Sequence, residues 1–427
     1  MKWTPHYFQQ AGIDHAVATG RSASRGFVQL YASPTGSGKS VVQLLVQEQL
    51  GWPIVTPRIE IVRGFLDKHG VDTDLSLSDL VSVAREHNIW TPIRFRNALF
   101  RGEIPDVPGI IVDEAHHLLA ETWHQFWVAA GMPPMLLYTA TPFRGTPRGT
   151  AKFRELYGEP LWLITLKEAA EQGYIKIPEA EILPLVDDDL IEINASGDFD
   201  VTSIEDHTIT RLDDLAAVCN SRFVVDGHWD RPTCFAVPSV KIAHQLAHRL
   251  QAPTAVVTAN TKDNIRRIAF EGVRQSILAL IQINVISEGV DLPIRRLVDL
   301  APRISPVGWL QQFGRCTRPW DQTPHYLCTN RNLLRHAYLL EGMIPAGKIA
   351  EAQTAFGASE RASHRAIGLE SLGRFKAVNI ELSNGLIAQL YIVIDRSDKM
   401  TEYSCICHPM LDTPIWASRK HAAKADG

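Results

Sequence analysis

Two short stretches of this chain carry residue types that grip and cleave a phosphate chain. The first, Ser33-Pro34-Thr35-Gly36-Ser37-Gly38-Lys39-Ser40, follows the apolar run Phe27–Ala32 and leads into a helical pattern. Gly36 and Gly38 let the backbone curl until successive N–H groups, that of Ser37 among them, converge on phosphate oxygens at the start of the next helix. Lys39 can reach the β- and γ-phosphates, and Ser40 can offer its hydroxyl to Mg²⁺. The strict pattern has glycine where Ser33 stands, so alone the stretch also fits a plain strand-to-helix turn. The second, Gly109-Ile110-Ile111-Val112-Asp113-Glu114-Ala115-His116, is an apolar strand ending in two carboxylates. Asp113 at its tip can hold Mg²⁺ through water, and Glu114 can orient and deprotonate an attacking water. An Asp-Glu pair can merely cap a helix, but joined to the lysine loop at this spacing it makes a nucleoside-triphosphate site.

Three later stretches extend the pattern. Leu137-Tyr138-Thr139-Ala140-Thr141-Pro142-Phe143-Arg144 ends the next strand with two hydroxyls. Ser287-Glu288-Gly289-Val290-Asp291-Leu292-Pro293 follows a strand much further on, and Gln311-Gln312-Phe313-Gly314-Arg315-Cys316-Thr317-Arg318 sets two guanidinium groups one helical turn apart. Arginines so spaced suit a γ-phosphate reached from across a cleft, although alone they also fit a solvated basic face.

Taken in order, these stretches resemble the superfamily 2 helicases and translocases of the DEAH-box type, and the phage, repair and recombination members among them. The resemblance covers roughly residues 8–318, and that family admits serine where this loop has Ser33. It implies two RecA-like lobes, ATP and Mg²⁺ as cofactors, and hydrolysis coupled to movement along nucleic acid. Residue by residue, it implies that Gln9 in Phe8-Gln9-Gln10 reads the adenine and that Gly36, Ser37, Gly38, Lys39 and Ser40 hold the phosphates. Asp113 would hold the metal with Ser40, and Glu114 would be the base. His116, Thr139 and Thr141 would relay nucleotide state, and Gly289 and Asp291 would approach the ribose and backbone. Gln311 would contact the γ-phosphate side, with Arg315 and Arg318 as the arginine fingers. For a nucleic-acid track, Thr56, Pro57, Arg58 and Thr91 in the first lobe match Ser239 and Thr258 in the second, since hydroxyls and N–H groups at strand tips bind phosphates without reading bases.

The elements that must position these residues follow a repeated grammar. Strand patterns at Phe27–Tyr31, Pro53–Thr56, Gly109–Asp113 and Met135–Thr139 alternate with helix patterns such as Lys39–Leu50 and Glu114–Val128. The alternation returns with strands at Thr233–Val237, Ala255–Val257, Ser276–Leu280, Leu297–Leu300 and Tyr326–Cys328, and helices at Val240–Leu250, Asp263–Glu271 and Gly308–Cys316. That predicts an α/β chain with two doubly wound parallel-sheet lobes, residues 1–165 and 166–335, joined through a helix at Thr165–Gly173 and an extended Ala180–Val186. The stretch Asp187–Asp200 reads as an acidic, solvated hinge loop. Residues 336–427 are expected to form a small α+β segment: helices, then a meander at Ala377–Leu382, Leu386–Asp395 and Glu402–His408, with Asn384-Gly385 as a hairpin turn. This segment, with Tyr391, Tyr403 and the basic Arg419, Lys420 and Lys424, reads either as a recognition module or as a structural cap.

Composition sets the outer bounds. The 427 residues exceed what one core sustains, and 45% hydrophobic with 21% charged residues is an ordinary globular balance. No apolar run approaches a membrane span, and six scattered cysteines suggest reduced thiols, so a cytoplasmic monomer is expected, in a host cytoplasm if phage-encoded. The net charge of −4 means that a nucleic-acid partner, DNA rather than RNA by analogy, must be held in a local groove. An ATP-switched clamp without strand separation, or an RNA helicase, remains the alternative. Cys405-Ile406-Cys407-His408 offers too few ligands for a closed zinc site, and Trp123 with Trp127 reads as helix-face core.

Overall fold

The computed structural model describes residues 4–356 except 74, 105, 120–122, 124–126, 129, 144–146, 195–197, 285–291, 320 and 341–342; beyond 356 it describes only the strands named below. The short apolar bursts of the first lobe become six parallel strands in the order β3 (Ile89–Trp90), β2 (Ile54–Val55), β4 (Ile110–Val112), β5 (Met135–Thr139), β1 (Val28–Ala32), β6 (Leu161–Trp162). Both faces are covered by helices, which is why these strands are continuous apolar runs rather than alternating ones. Leu30, Tyr31, Ile110, Ile111, Leu137 and Tyr138 are fully buried. The register Val28↔Met135 to Ala32↔Thr139 levels the tips of β1 and β5, and Ser33 N–H continues the ladder to the Thr139 carbonyl at 3.2 Å. Helices α1 (Tyr7–Ser22), α2 (Lys39–Leu50), α3 (Ile59–Lys68), α4 (Leu77–Glu86) and α5 (Pro92–Phe100) pack around this sheet. α2 has the expected bounds, because Gly38 and Gly51 both take left-handed φ and stop it at each end.

The second sheet is also six-stranded and parallel, in the order β11 (Thr254–Val257), β12 (Ala279–Gln282), β10 (Thr233–Ala236), β13 (Arg296–Asp299), β14 (His325–Cys328), β7 (Glu179–Ile182). A short hairpin, β8 (Val224–Val225) and β9 (His228–Trp229), precedes β10. The chain passes from one sheet to the other between β6 and β7. On the way the helix Leu166–Glu171 starts at a Thr165/Glu168 capping box and packs Ala169 and Ile175 against Phe8 of α1. Helices Asn332–His336 and Ala346–Phe356 follow β14, and Leu333, Leu340 and Ile344 join the second-lobe core. Beyond them β15 (Arg374–Glu381) and β16 (Ile387–Ile394) pair antiparallel about residues 382–386, which contain the expected turn but lie outside the described residues.

Several expectations are corrected. The helix expected over Glu114–Val128 begins instead as a 3₁₀ turn, Ala115–Leu119, because Glu114 takes φ 48° and ends the strand abruptly. Leu118 and Trp123 still belong to the core, and Trp127 packs against it. The strand expected at Ser276–Leu280 starts only at Ala279, since Ser276 (φ 58°) and the Ile277 N–H, bonded to the Gly272 carbonyl, still close the preceding helix. The third expected strand of the C-terminal meander, Glu402–His408, is described as β18 (Tyr403–Ile406), which pairs with β19 (Ile415–Ser418), while the preceding β17 (Met400–Thr401) pairs with β16. Cys407 and His408 lie outside the described residues.

The acidic stretch 187–200 is not a solvated hinge throughout. Val186, Ile191 and Phe199 form a small core with Ile204 and Ile304, and Asp188 is 0% exposed, ion-paired at 2.6 Å to Arg335, itself 1% exposed. Burial pushes the Asp188 carboxyl up and the arginine pulls it back. Removing one partner of such a pair strands a charge. Asp188→Ala is therefore expected to lower unfolding free energy by about 3–5 kcal/mol, whereas Asp187→Ala, whose carboxylate is half exposed beside Arg331, is expected to cost about 1 kcal/mol or less; urea unfolding measures both.

Candidate nucleotide site between the lobes

The loop from Ser33 to Ser40 joins β1 to α2 and depends on its glycines for shape. Gly36 (φ 88°) and Gly38 (φ 86°) both lie in the left-handed region, and Gly38 caps α2 so that the helix N-terminus faces the loop. Ser37 Oγ donates to the Pro34 carbonyl at 2.7 Å, and Lys39 Nζ reaches the Ser33 carbonyl at 3.5 Å. Gln9 is buried behind the loop. Its Nε2 donates to the Ser37 carbonyl at 2.9 Å and its Oε1 accepts from His6 N–H at 2.9 Å, so here the amide braces the phosphate loop with both ends engaged.

Asp113 stands at the tip of β4, two strands from the loop. Its Oδ1 accepts from Gln43 Nε2 at 2.8 Å and its Oδ2 faces the Thr56 hydroxyl at 3.4 Å. Burial pushes Asp113 up to about 6, helped by the charge of Glu114 and opposed by Gln43 and Lys39. Glu114 Oε2 lies 3.4 Å from His116 Nδ1, which is also 3.1 Å from Thr139 Oγ1. The same Thr139 oxygen accepts the Thr141 N–H at 3.0 Å. Glu114, His116, Thr139 and Thr141 thus form one connected group across β4 and β5. The Ser40 hydroxyl, in the first turn of α2, and the Asp113 carboxylate, at the tip of β4, are hard oxygen donors, a pair that suits Mg²⁺ carried in with phosphates. Among the described residues, no group of three or more His, Cys, Asp or Glu could hold a metal by itself.

The second lobe completes the group. Gln311 and Arg315 are buried at the end of the helix Pro306–Phe313, and Gln311 Nε2 meets His116 Nε2 at 2.9 Å. With the amide donating, the imidazole proton sits on Nδ1, between Glu114 and Thr139. The helix end comes so close that a Cβ on Gly314 would stand 2.7 Å from Thr35 Cβ, and the Arg318 stem lies over Gly36, with Cγ 3.7 Å from where a Cβ would be. Burial lowers Arg318 to about 10, which leaves it charged at neutral pH. Gly289 and Asp291 lie outside the described residues.

The candidate nucleic-acid residues are dispersed over both lobes. Thr56 is fully buried, with its hydroxyl turned to Asp113, while Pro57 and Arg58 are partly exposed at the start of α3. Thr91 is partly exposed and caps α5 without a side-chain bond. Ser239 Oγ accepts the Ile242 N–H at 3.3 Å as a helix cap, and the Thr258 N–H donates to Thr261 Oγ1 at 2.9 Å. Sequence reasoning missed the groups that brace these residues. Arg266, 8% exposed, bonds the carbonyls of Thr258, Ala259 and Thr261 and pairs with Glu60 of α3 at 2.6 Å, so it ties the two lobes beside the candidate track. Gln43 was missed too, although an amide amid the apolar side chains of α2 was a visible signal.

No family model matches the chain. A "51.5 kDa protein" of a Lactococcus phage (isolate 7-9) is 28% identical over 306 residues, which are 67% of this chain and 62% of that protein, so the chain spans less than two thirds of its relative. Among solved structures, a fragment of a putative HsdR subunit of a type I restriction enzyme from Vibrio vulnificus YJ016 is similar with TM-score 0.56 at 16% identity, covering 85% of this chain and 67% of that one. Mss116p bound to ssRNA and AMP-PNP gives TM-score 0.55 at 15% identity, covering 83% and 78%. The ATP-dependent Type ISP restriction-modification enzyme LlaBIII bound to DNA gives 0.52 at 15%, covering 83% of this chain but 30% of its own. At these identities the likeness establishes the fold alone: α/β, with two RecA-like, doubly wound parallel-sheet lobes.

Proposed function

We propose that this chain hydrolyses ATP between its lobes and uses the cycle to move along or unwind nucleic acid, DNA in preference to RNA. The observation that carries this reading is the His116–Gln311 contact at 2.9 Å, which joins the carboxylate-bearing strand tip of one lobe to the helix just before Arg315 and Arg318 in the other. Glu114 would hold the attacking water, Lys39 and the loop N–H groups the phosphates, and Arg315 with Arg318 would reach the γ-phosphate from the opposite wall. Ser40 and Asp113 would hold Mg²⁺, which neutralises phosphate charge. Opening and closing of the lobes would then alternate the grip of Arg58 and Thr91 with that of the Ser239 and Thr258 loops. The preference for DNA is supported by likeness to a restriction-modification enzyme bound to DNA, although Mss116p was solved on RNA. Strand displacement on matched DNA and RNA forks decides it, and unwinding of RNA alone overturns the preference. ATP turnover that single strands fail to stimulate favours a clamp.

Lys39→Ala is expected to abolish ATP hydrolysis, by about 10³-fold or more, while retaining nucleic-acid binding; full activity in that variant overturns the site. Gly314→Ala should retain nucleotide binding to the first lobe and lower kcat by about 10²-fold, because the added methyl cannot fit against Thr35 and holds the walls apart. The Asp113 carboxyl gives a third check. Its folded value is raised from 3.8 to about 6, so across that window the folded chain carries the extra proton and stability falls as pH rises. In EDTA without nucleotide, Asp113→Asn should exceed wild type by on the order of 3 kcal/mol above roughly pH 6.5, with the gap closing below about pH 4. A gap independent of pH assigns the effect to packing instead.

A further inference from the structure

Among the described residues, Gln43 is the one amide that donates to Asp113. It lies on α2 one turn beyond Lys39 and Ser40, on the same face, and its side chain leans back toward the helix start and the phosphate loop. It is 0% exposed, and its Nε2 makes the 2.8 Å bond to Asp113 Oδ1. Its Oε1 is buried without a hydrogen-bond partner. Around it, Val41, Val42, Leu44 and Val46 fill the buried surface of the same helix, so an aliphatic side chain would fit this setting at lower cost. A buried acceptor left unmet forfeits its hydration without return, a cost that an aliphatic side chain would not carry. By contrast, the other buried amide of α2, Gln47, turns its donor to the carbonyls of His87 and Asn88 and has no acceptor orphaned.

We propose that Gln43 is a positioning residue for the metal-bound form of the site: its amide nitrogen fixes the Asp113 carboxylate, and its carbonyl oxygen takes a hydrogen from water carried by the divalent cation. This rests on the nucleotide reading above and adds to it a residue that none of the phosphate-loop or strand-tip stretches contains. Metal-bound waters only donate, so a bare buried acceptor next to a metal carboxylate is the complementary group. An isosteric side chain without either function would leave the loop and Lys39 intact. It would therefore spare the binding of nucleotide alone and weaken what magnesium adds.

The test is a titration of nucleotide binding, not turnover. A fluorescent, non-hydrolysable ATP analogue is bound to wild type, Gln43→Met and Gln43→Leu, first in EDTA and then over a magnesium series, with melting temperature recorded for each. The expected result is affinity in EDTA within about twofold of wild type and a rise of about tenfold in the magnesium concentration giving half the effect, with melting temperature showing which variants fold. A magnesium response equal to wild type in whichever variant folds overturns the proposal, because Gln43 then only fills space. A loss of binding in EDTA as large as the loss in magnesium also overturns it, by placing Gln43 in the shape of the loop. Wild type that binds no nucleotide at all overturns the nucleotide reading and this proposal with it.

Discussion

The two lobes meet where there is no room for a side chain. Gly314, at the end of the helix Pro306–Phe313, lies against Thr35 of the phosphate loop so closely that even a methyl would overlap it. Everything that makes the cleft a single site follows from this approach: Gln311 reaches His116, Arg318 lies over Gly36, and Arg315 is buried at the same junction. Polar contacts such as Gln311 to His116 stand here beside the apolar packing of Phe8 with Ala169 and Ile175.

Such closeness requires the helix that bears Gln311 to be fixed from behind. Asp299 at the tip of β13 does this from full burial. It accepts from Gln312 at 3.0 Å, the Ala301 N–H at 3.3 Å, the Tyr326 hydroxyl at 2.6 Å and Asn332 at 2.9 Å. Burial raises this carboxyl, and the donors around it oppose the rise. Asp113 in the first lobe is the contrasting case, for it has one good donor and a distant hydroxyl. One buried carboxylate is saturated and serves the fold. The other is less fully satisfied, which supports the metal role proposed for it.

On the outer side of the cleft, Arg266 holds the Thr258–Thr261 loop and Glu60 together, with Arg63 and Asp263 at 3.6 Å alongside. Among the described residues the lobes are thus tied beside the Ser33–Ser40 loop and also beside the candidate track. Arg266 is buried and Asp263 half exposed, so the first pair is the stronger and the second is open to salt.

The sequence alone determined what is local. Glycines at 36 and 38 dictate a left-handed loop, apolar runs bounded by breakers dictate buried parallel strands, and residues 39–50 form the expected helix, since each depends on neighbours within a few positions. It also placed Asp113 and Glu114 at a strand tip, because a strand cannot bury them further along. Tertiary structure decided the rest. Whether 187–200 was solvated turned on Arg335, which lies 147 positions away from Asp188. That Thr56 would turn inward, that Gln9 would brace Ser37 and that Gln43 would hold Asp113 depended on strand order, which brings β2, β4 and α2 together from distant stretches. Pattern reading sees which residues could do chemistry; only packing fixes which of their hydrogen bonds are already taken.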